Sequence, residues 1–216
     1  MTAHKHIVKV CGMRDADNIR AVEALGIEWM GFICWPGSPR YVSHTPAYMP
    51  ATVRRVGVFV DPTIQDVIVH ARRLRLDILQ LHGAETPAFC RQLRAALTAE
   101  GMPPAAVVKA FRIADVHDLA PTEHYRQGDD VDYFLFDTRT PLAGGSGRQF
   151  DWHILDAYRQ PVPFLLSGGI GPDDARRLSA YDHPRCIGFD INSRFETAPA
   201  MKDVQAIQRF LATLRS

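Results

Sequence analysis

The chain has 216 residues, 46% of them hydrophobic and 23% charged, and its 25 lysines and arginines nearly balance 24 aspartates and glutamates for a formal charge of +1. That composition excludes a disordered chain and supplies no basic field for nucleic acid; the Arg72-Arg73 and Arg176-Arg177 pairs read as solvated helix faces. No stretch is apolar for long enough to cross a bilayer, and Met1-Thr2-Ala3-His4-Lys5 runs into a strand without a secretory apolar segment, so a cytoplasmic protein without a membrane partner is expected.

Eight short apolar runs follow one another along the chain: His6–Cys11, Glu28–Cys34, Val56–Val60, Ile78–Leu81, Ala106–Phe111, Tyr133–Asp137, Val162–Ser167 and Cys186–Asp190. They alternate with amphipathic segments, a strand-then-helix unit that requires parallel pairing and crossover connections. Eight units predict an α/β fold, a (β/α)8 TIM barrel occupying residues 1–216 as a single domain. In such barrels the chemistry sits at the C-terminal ends of the strands, where this chain places Cys11, His82, Asp137, Ser167 and Asp190.

Between the strands, Asp15 is placed to cap a first helix striped by Ile19, Val22 and Leu25 and stopped by Gly26. The Pro- and Gly-rich run from Trp35 to Val42 reads as a loop over the strand ends, and the second helix, near Ala47–Ala51, as short or degenerate. Asp61 or Thr63 caps the third helix, and Glu85 stands near the start of the fourth. Pro121 and Gly128 interrupt the fifth helix, which is also expected to be degenerate, and a last helix is expected over about Met201–Leu214.

The chemistry-bearing residues are tags on strand ends. Cys11, followed by Gly12, is either a buried packing residue or a thiol open to the mouth of the barrel, where cationic partners would favour its thiolate. Asp137 ends an apolar strand and is either a loop cap or a proton donor in a dry site. Ser167-Gly168-Gly169 after the seventh run and Asp190-Ile191-Asn192-Ser193 after the eighth offer bare amides and small hydroxyls where barrels of this kind hold phosphate. Gly144-Gly145-Ser146-Gly147 lacks the lysine of a P-loop and the placement of a dinucleotide fingerprint, so neither ATP nor NAD is expected. The four cysteines, at 11, 34, 90 and 186, have no metal-ligand spacing and read as free thiols; no metal and no cofactor are expected.

The ordered series Lys9-Val10-Cys11-Gly12, Ser38-Pro39-Arg40-Tyr41-Val42, Val56-Gly57-Val58-Phe59-Val60, Gln80-Leu81-His82-Gly83, Phe136-Asp137-Thr138, Gly144-Gly145-Ser146-Gly147 and Leu166-Ser167-Gly168-Gly169 resembles the N-(5′-phosphoribosyl)anthranilate isomerases of tryptophan biosynthesis over roughly residues 7–196. The resemblance implies an Amadori rearrangement of a phosphosugar-anthranilate substrate without a cofactor, in a monomer or homodimer. It implies Asp137 as general acid and Cys11 as general base, the thiol being tuned downward from its ordinary value of about 8.5. It further implies Arg40 for the anthranilate carboxylate, His82 facing the bound substrate, and Ser167, Gly168, Gly169, Asp190, Asn192 and Ser193 at the phosphate, with Asp190 suited to orienting its loop. The chain departs from the family's pattern at Arg194, where a glycine is usual, and at Ile33-Cys34-Trp35, where a second thiol nears the rim.

Overall fold

The computed structural model describes residues 6–138 and 149–216; the Gly144–Gly147 tag lies outside them. Eight parallel strands close into a barrel in sequence order: β1 (Ile7–Val10), β2 (Trp29–Ile33), β3 (Arg54–Phe59), β4 (Ile78–Leu81), β5 (Ala106–Ile113), β6 (Tyr133–Thr138), β7 (Phe164–Leu166) and β8 (Cys186–Ile191), with β8 pairing back onto β1. All eight expected runs are strands. β3 and β5 extend beyond their apolar cores, and β7 is shorter than its run because Val162 and Pro163 precede its pairing.

Alternation along each strand sorts the apolar residues into two layers. Trp29, Val56, Ile78, Val108, Ala110, Leu135 and Leu165 fill the barrel interior, while Phe32, Phe59, Phe134, Phe136, Phe164 and Phe189 face the outer ring. The ring is uneven. Helix α1 (Ala16–Glu23) starts at Asp15, whose side chain accepts from the amides of Asp17 and Asn18, and the chain leaves it through Gly26 at φ 71°. Helix α2 (Ile64–Leu74) opens with a capping box between Thr63 and Asp66, and α3 (Pro87–Ala99) with Thr86 and Pro87. A 3₁₀ segment, Val116–His124, replaces the fifth helix, as the interruption at Pro121 led one to expect. Another, Trp152–Ala157, precedes β7, and α4 (Ala175–Ser179) is a single short turn.

Two helical expectations need correction. No helix forms between β2 and β3: the Glu23 carboxylate gathers that segment instead, accepting from the Tyr48 hydroxyl at 2.6 Å and from the amides of Ala51 and Thr52 and the Thr52 hydroxyl at 2.7 Å each. Burial opposes the charge on Glu23, yet these bonds hold its carboxyl below the ordinary value. The last helix, α5, spans Val204–Leu214 rather than beginning at Met201. The preceding residues form a small antiparallel pair, β9 (Glu196–Ala198) with β10 (Met201–Lys202), which carries Lys202 into the interior. No helix among the described residues is long and apolar enough to cross a membrane.

Candidate active site

The interior-facing residues above the apolar filling form two polar tiers at the C-terminal ends of the strands. Lys9, Gln80 and Asp190 make the lower tier, all nearly inaccessible to solvent. Two residues further along their strands come Cys11, His82 and Asn192, joined at the mouth by Arg112, Asp137 and Ser167 through the same period-two alternation.

On the β1 side, Lys9 and Asp190 are direct neighbours in the β1–β8 register, and the Lys9 Nζ donates to Asp190 Oδ1 at 2.9 Å. The Cys11 amide caps the ladder on Ile191 O at 2.9 Å. Its sulfur fits because β2 carries Gly31 there: a Cβ at that position would lie 2.8 Å from Sγ. Gly12 is required twice, by φ 78° and by the Arg40 side chain, whose Cδ would be 2.7 Å from an added Cβ. Burial pushes the Cys11 thiol up and Lys9 and Lys202 oppose it, so the downward tuning expected from the sequence gives way to a net upward shift. Cys34 differs: it belongs to the outer hydrophobic layer, and burial pushes its thiol up to about 12.

Arg40 is largely enclosed. Its Nε donates to Glu196 Oε1 at 2.9 Å and its Nη2 to Oε2 at 2.6 Å, while Lys202 Nζ reaches Glu196 Oε1 at 2.5 Å and Asn192 Oδ1 at 2.7 Å. Burial opposes ionisation of Glu196, but the bonds from Arg40 and Lys202 hold its carboxyl below the ordinary range. A guanidinium has five donors; with Nε and Nη2 on Glu196, the Nη1 arm is the one left for a further anion.

Across the mouth, the His82 Nε2 stands 3.3 Å from Asp137 Oδ2, and Asp137 Oδ1 accepts the Thr138 amide at 2.9 Å. The turn that carries His82 is tied from outside the barrel: buried Lys109 donates to Gly83 O at 2.7 Å and meets Glu85 Oε2 at 3.2 Å, while Glu85 accepts the amides of Gly83 and Asp61. Below, Gln80 Nε2 donates to His82 Nδ1 at 3.1 Å, which puts the ring hydrogen on Nε2, the nitrogen on the Asp137 side. Gln80 Oε1 is buried without a hydrogen-bond partner among the described residues. Turned over, that amide would accept from a hydrogen on Nδ1, so Gln80 can serve either tautomer of His82.

The loops after β7 and β8 complete the rim. Gly168 and Gly169 take φ of 94° and 69°, and a Cβ at Gly168 would run into the Thr138 amide and hydroxyl. Gln149 Nε2 holds Gly169 O at 3.1 Å. Ser167 lies close to Asp190, its Oγ 3.5 Å from Oδ2. The Asp190 carboxylate therefore sits beneath the loops, turned to Lys9 and Ser167, with desolvation pushing its pKa up against the pull of Lys9. After Asn192, Ser193–Phe195 form a 3₁₀ turn, so the non-glycine at 194 meets no left-handed backbone. The Arg194 side chain leans toward the β7 loop, its Nε 3.3 Å from where a Gly171 Cβ would be.

Several of these groups escape sequence reading. Lys9 and Gln80 stand in the sequence only as members of strand-end motifs, without a role of their own, and Arg112, Glu196 and Lys202 carry no tag; strand alternation, which sets Lys9 beneath Cys11, Gln80 beneath His82 and Arg112 beside Asp137, is the signal that draws attention to Lys9, Gln80 and Arg112. Arg112 and His82 border a cavity of about 440 Å³ that also takes in Asp61, Phe111 and Tyr125. Among the described residues there is no cluster of three His, Cys, Asp or Glu suited to a metal ion.

Comparison with known proteins points to one family. A family model described as N-(5′-phosphoribosyl)anthranilate isomerase matches residues 8–213. The N-(5′-phosphoribosyl)anthranilate isomerase of Phocaeicola vulgatus is 47% identical over 209 residues, covering 97% of this chain and 98% of its own. Among solved structures, phosphoribosyl anthranilate isomerase from Thermotoga maritima superposes with a TM-score of 0.78 at 31% identity, covering 97% of this chain and 98% of its own. A phosphoribosyl anthranilate isomerase in complex with reduced 1-(o-carboxyphenylamino)-1-deoxyribulose 5-phosphate gives a TM-score of 0.73 at 28% identity, with the same coverage of both chains. With its closed eight-stranded barrel, its polar mouth and a match that runs nearly end to end, the chain belongs to the N-(5′-phosphoribosyl)anthranilate isomerase family.

Proposed function

We propose that this chain, acting as one barrel unit over residues 1–216, converts N-(5′-phosphoribosyl)anthranilate to 1-(2-carboxyphenylamino)-1-deoxyribulose 5-phosphate by general acid-base catalysis. The observation that carries the reading is the placement of Cys11 at the end of β1 and of the Asp137–His82 pair at the ends of β6 and β4, facing one another across one mouth.

Ring opening begins with a proton held on the Asp137–His82 pair. Asp137 delivers it to the furanose ring oxygen, the C1′–O bond breaks, and the nitrogen lone pair forms the C1′=N iminium. The Cys11 thiolate then takes the C2′ proton; the electron pair moves into C1′–C2′, neutralises the iminium and leaves an enolamine. Return of a proton to C1′ and loss of the C2′ hydroxyl proton give the ketone. His82 thus serves the acid from the side as well as facing substrate, a role that its 3.3 Å approach to Asp137 supports.

Phosphate binding is assigned to the amides of Gly168, Gly169 and Ser193 and to the side chains of Ser167, Asn192 and Ser193, with Arg194 adding charge at the loop junction. Asp190 supports these loops from below. Arg40, through Nη1, is assigned to the anthranilate carboxylate, with Glu196 fixing its orientation. Turnover of freshly generated phosphoribosylanthranilate by purified protein in the presence of a chelator tests the reading. Conversion to the aminoketose is expected; a folded protein that binds the reduced product analogue without turning substrate over would overturn it.

A further inference from the structure

A lysine wholly enclosed in a barrel needs a reason, because an ion pair taken out of water commonly stabilises a fold no more than apolar side chains of the same volume. Lys9 is fully buried, pairs with Asp190 at 2.9 Å, and occupies an interior position opposite Trp29 in the β1–β2 register, in a barrel interior otherwise filled by apolar side chains such as Val56 and Leu165. Its ammonium belongs to the same interior face of β1 as the Cys11 sulfur, two residues further along, and acts on it as a neighbouring positive charge. The charged groups that act on that sulfur are Lys9 on β1, Asp190 on β8, Lys202 on β10 and Arg40 in the loop after β2; Glu196 is already engaged by the last two. Three cations thus stand against two carboxylates around one thiol, and a negative charge on Cys11 balances the cluster.

We propose that Lys9 is a positioning residue for the isomerisation: held by Asp190, its ammonium is the fixed counter-cation that lies under the Cys11 sulfur whenever that sulfur is ionised. This rests on the assignment of Cys11 as the base. Lys9 works from beneath, out of contact with solvent and below the substrate's side of the mouth, so its effect is not screened by salt, in contrast to a surface lysine. Asp190 acts in the opposite sense: it orients Lys9 but its own charge disfavours a thiolate nearby. The two members of one ion pair therefore have effects of opposite sign on the same sulfur.

The test is a pH titration of the Cys11 thiolate by its ultraviolet absorbance, taken as the difference from Cys11→Ser, in the wild type, Lys9→Met, Lys9→Arg and Asp190→Asn, alongside kcat and KM. Lys9→Met should move the Cys11 midpoint up by about one pH unit or more, the size of effect expected from losing an adjacent opposite charge. At a pH below the midpoint, kcat should fall about tenfold with KM little changed and recover as pH is raised. Lys9→Arg should restore most of the difference, and Asp190→Asn should move the midpoint down. A midpoint unmoved in both Lys9→Met and Asp190→Asn, or moved in the same direction by both, overturns the proposal. If Lys9→Met does not fold, Asp190→Asn decides alone: an unchanged or raised midpoint is the contrary result. The titration is independent of turnover, so an active Cys11→Ala protein would remove the base assignment while the signed shifts still report on Lys9.

Discussion

Two thiols near the same rim are separated by one step of strand alternation. Cys11 faces the interior above Lys9, whereas Cys34 turns outward into the hydrophobic layer, where burial pushes its thiol up to about 12 and disfavours the thiolate. Cys11→Ala should lower turnover by roughly 10² or more, the usual weight of a general base, and Cys34→Ala should leave it within a fewfold. Equal rates in the two variants would contradict the assignment. The pH dependence follows from the direction of the Cys11 shift. Burial raises that thiol, a base works only when deprotonated, and so kcat/KM should climb with pH through the alkaline side of neutrality. A profile already flat on its acidic side at neutral pH would show the thiolate formed lower than this geometry allows. The positions of Cys11, Asp137 and His82 at strand ends were legible from sequence because strand-end tags are short and local. Their partners were not: Lys9 and Lys202 look like solvent-facing lysines until register and the β9–β10 pair bury them beside Asp190 and Glu196.

At the scale of elements, the strands were readable because parallel barrel strands are apolar runs with abrupt polar ends, and α1 and α2 because their caps are written within four residues of their starts. The missing second helix was not, since what replaces it is a carboxylate from another element. Glu23 accepts four hydrogen bonds there, and Glu23→Ala should cost about 1–2 kcal/mol by removing the acceptor shared by donors that can turn to water, measured by denaturant unfolding. Because its folded carboxyl lies below the unfolded value, this contribution is fully present above about pH 4.3 and fades as pH falls through the folded value. The difference between wild type and variant should therefore shrink in acid; a constant difference from neutral pH downward would place the effect elsewhere. In the loops after β7 and β8, Arg194 stands beside Gly171 in place of the family's usual glycine. Arg194→Ala should raise KM about tenfold, one charge-assisted contact, with kcat little changed. An unchanged KM would mean that the side chain serves the surface alone.

For the whole molecule, the barrel does what no single loop could: it brings the ends of β1, β4 and β6, with Cys11, His82 and Asp137, to one mouth over an apolar interior. Register sets this geometry, with β8 closing onto β1 to bring Asp190 beside Lys9, and β5 against β6 to bring Arg112 beside Asp137. The apolar filling of the interior leaves the polar side chains gathered at one face of the barrel. The measurement that bears most directly on the account is single-turnover conversion of phosphoribosylanthranilate by wild type, Cys11→Ala and Asp137→Asn, each shown by titration to bind the reduced product analogue. The account predicts tight analogue binding in all three, with rates in both variants lower by about two orders of magnitude or more. Near-wild-type turnover in either variant would contradict the division of acid and base across the barrel mouth.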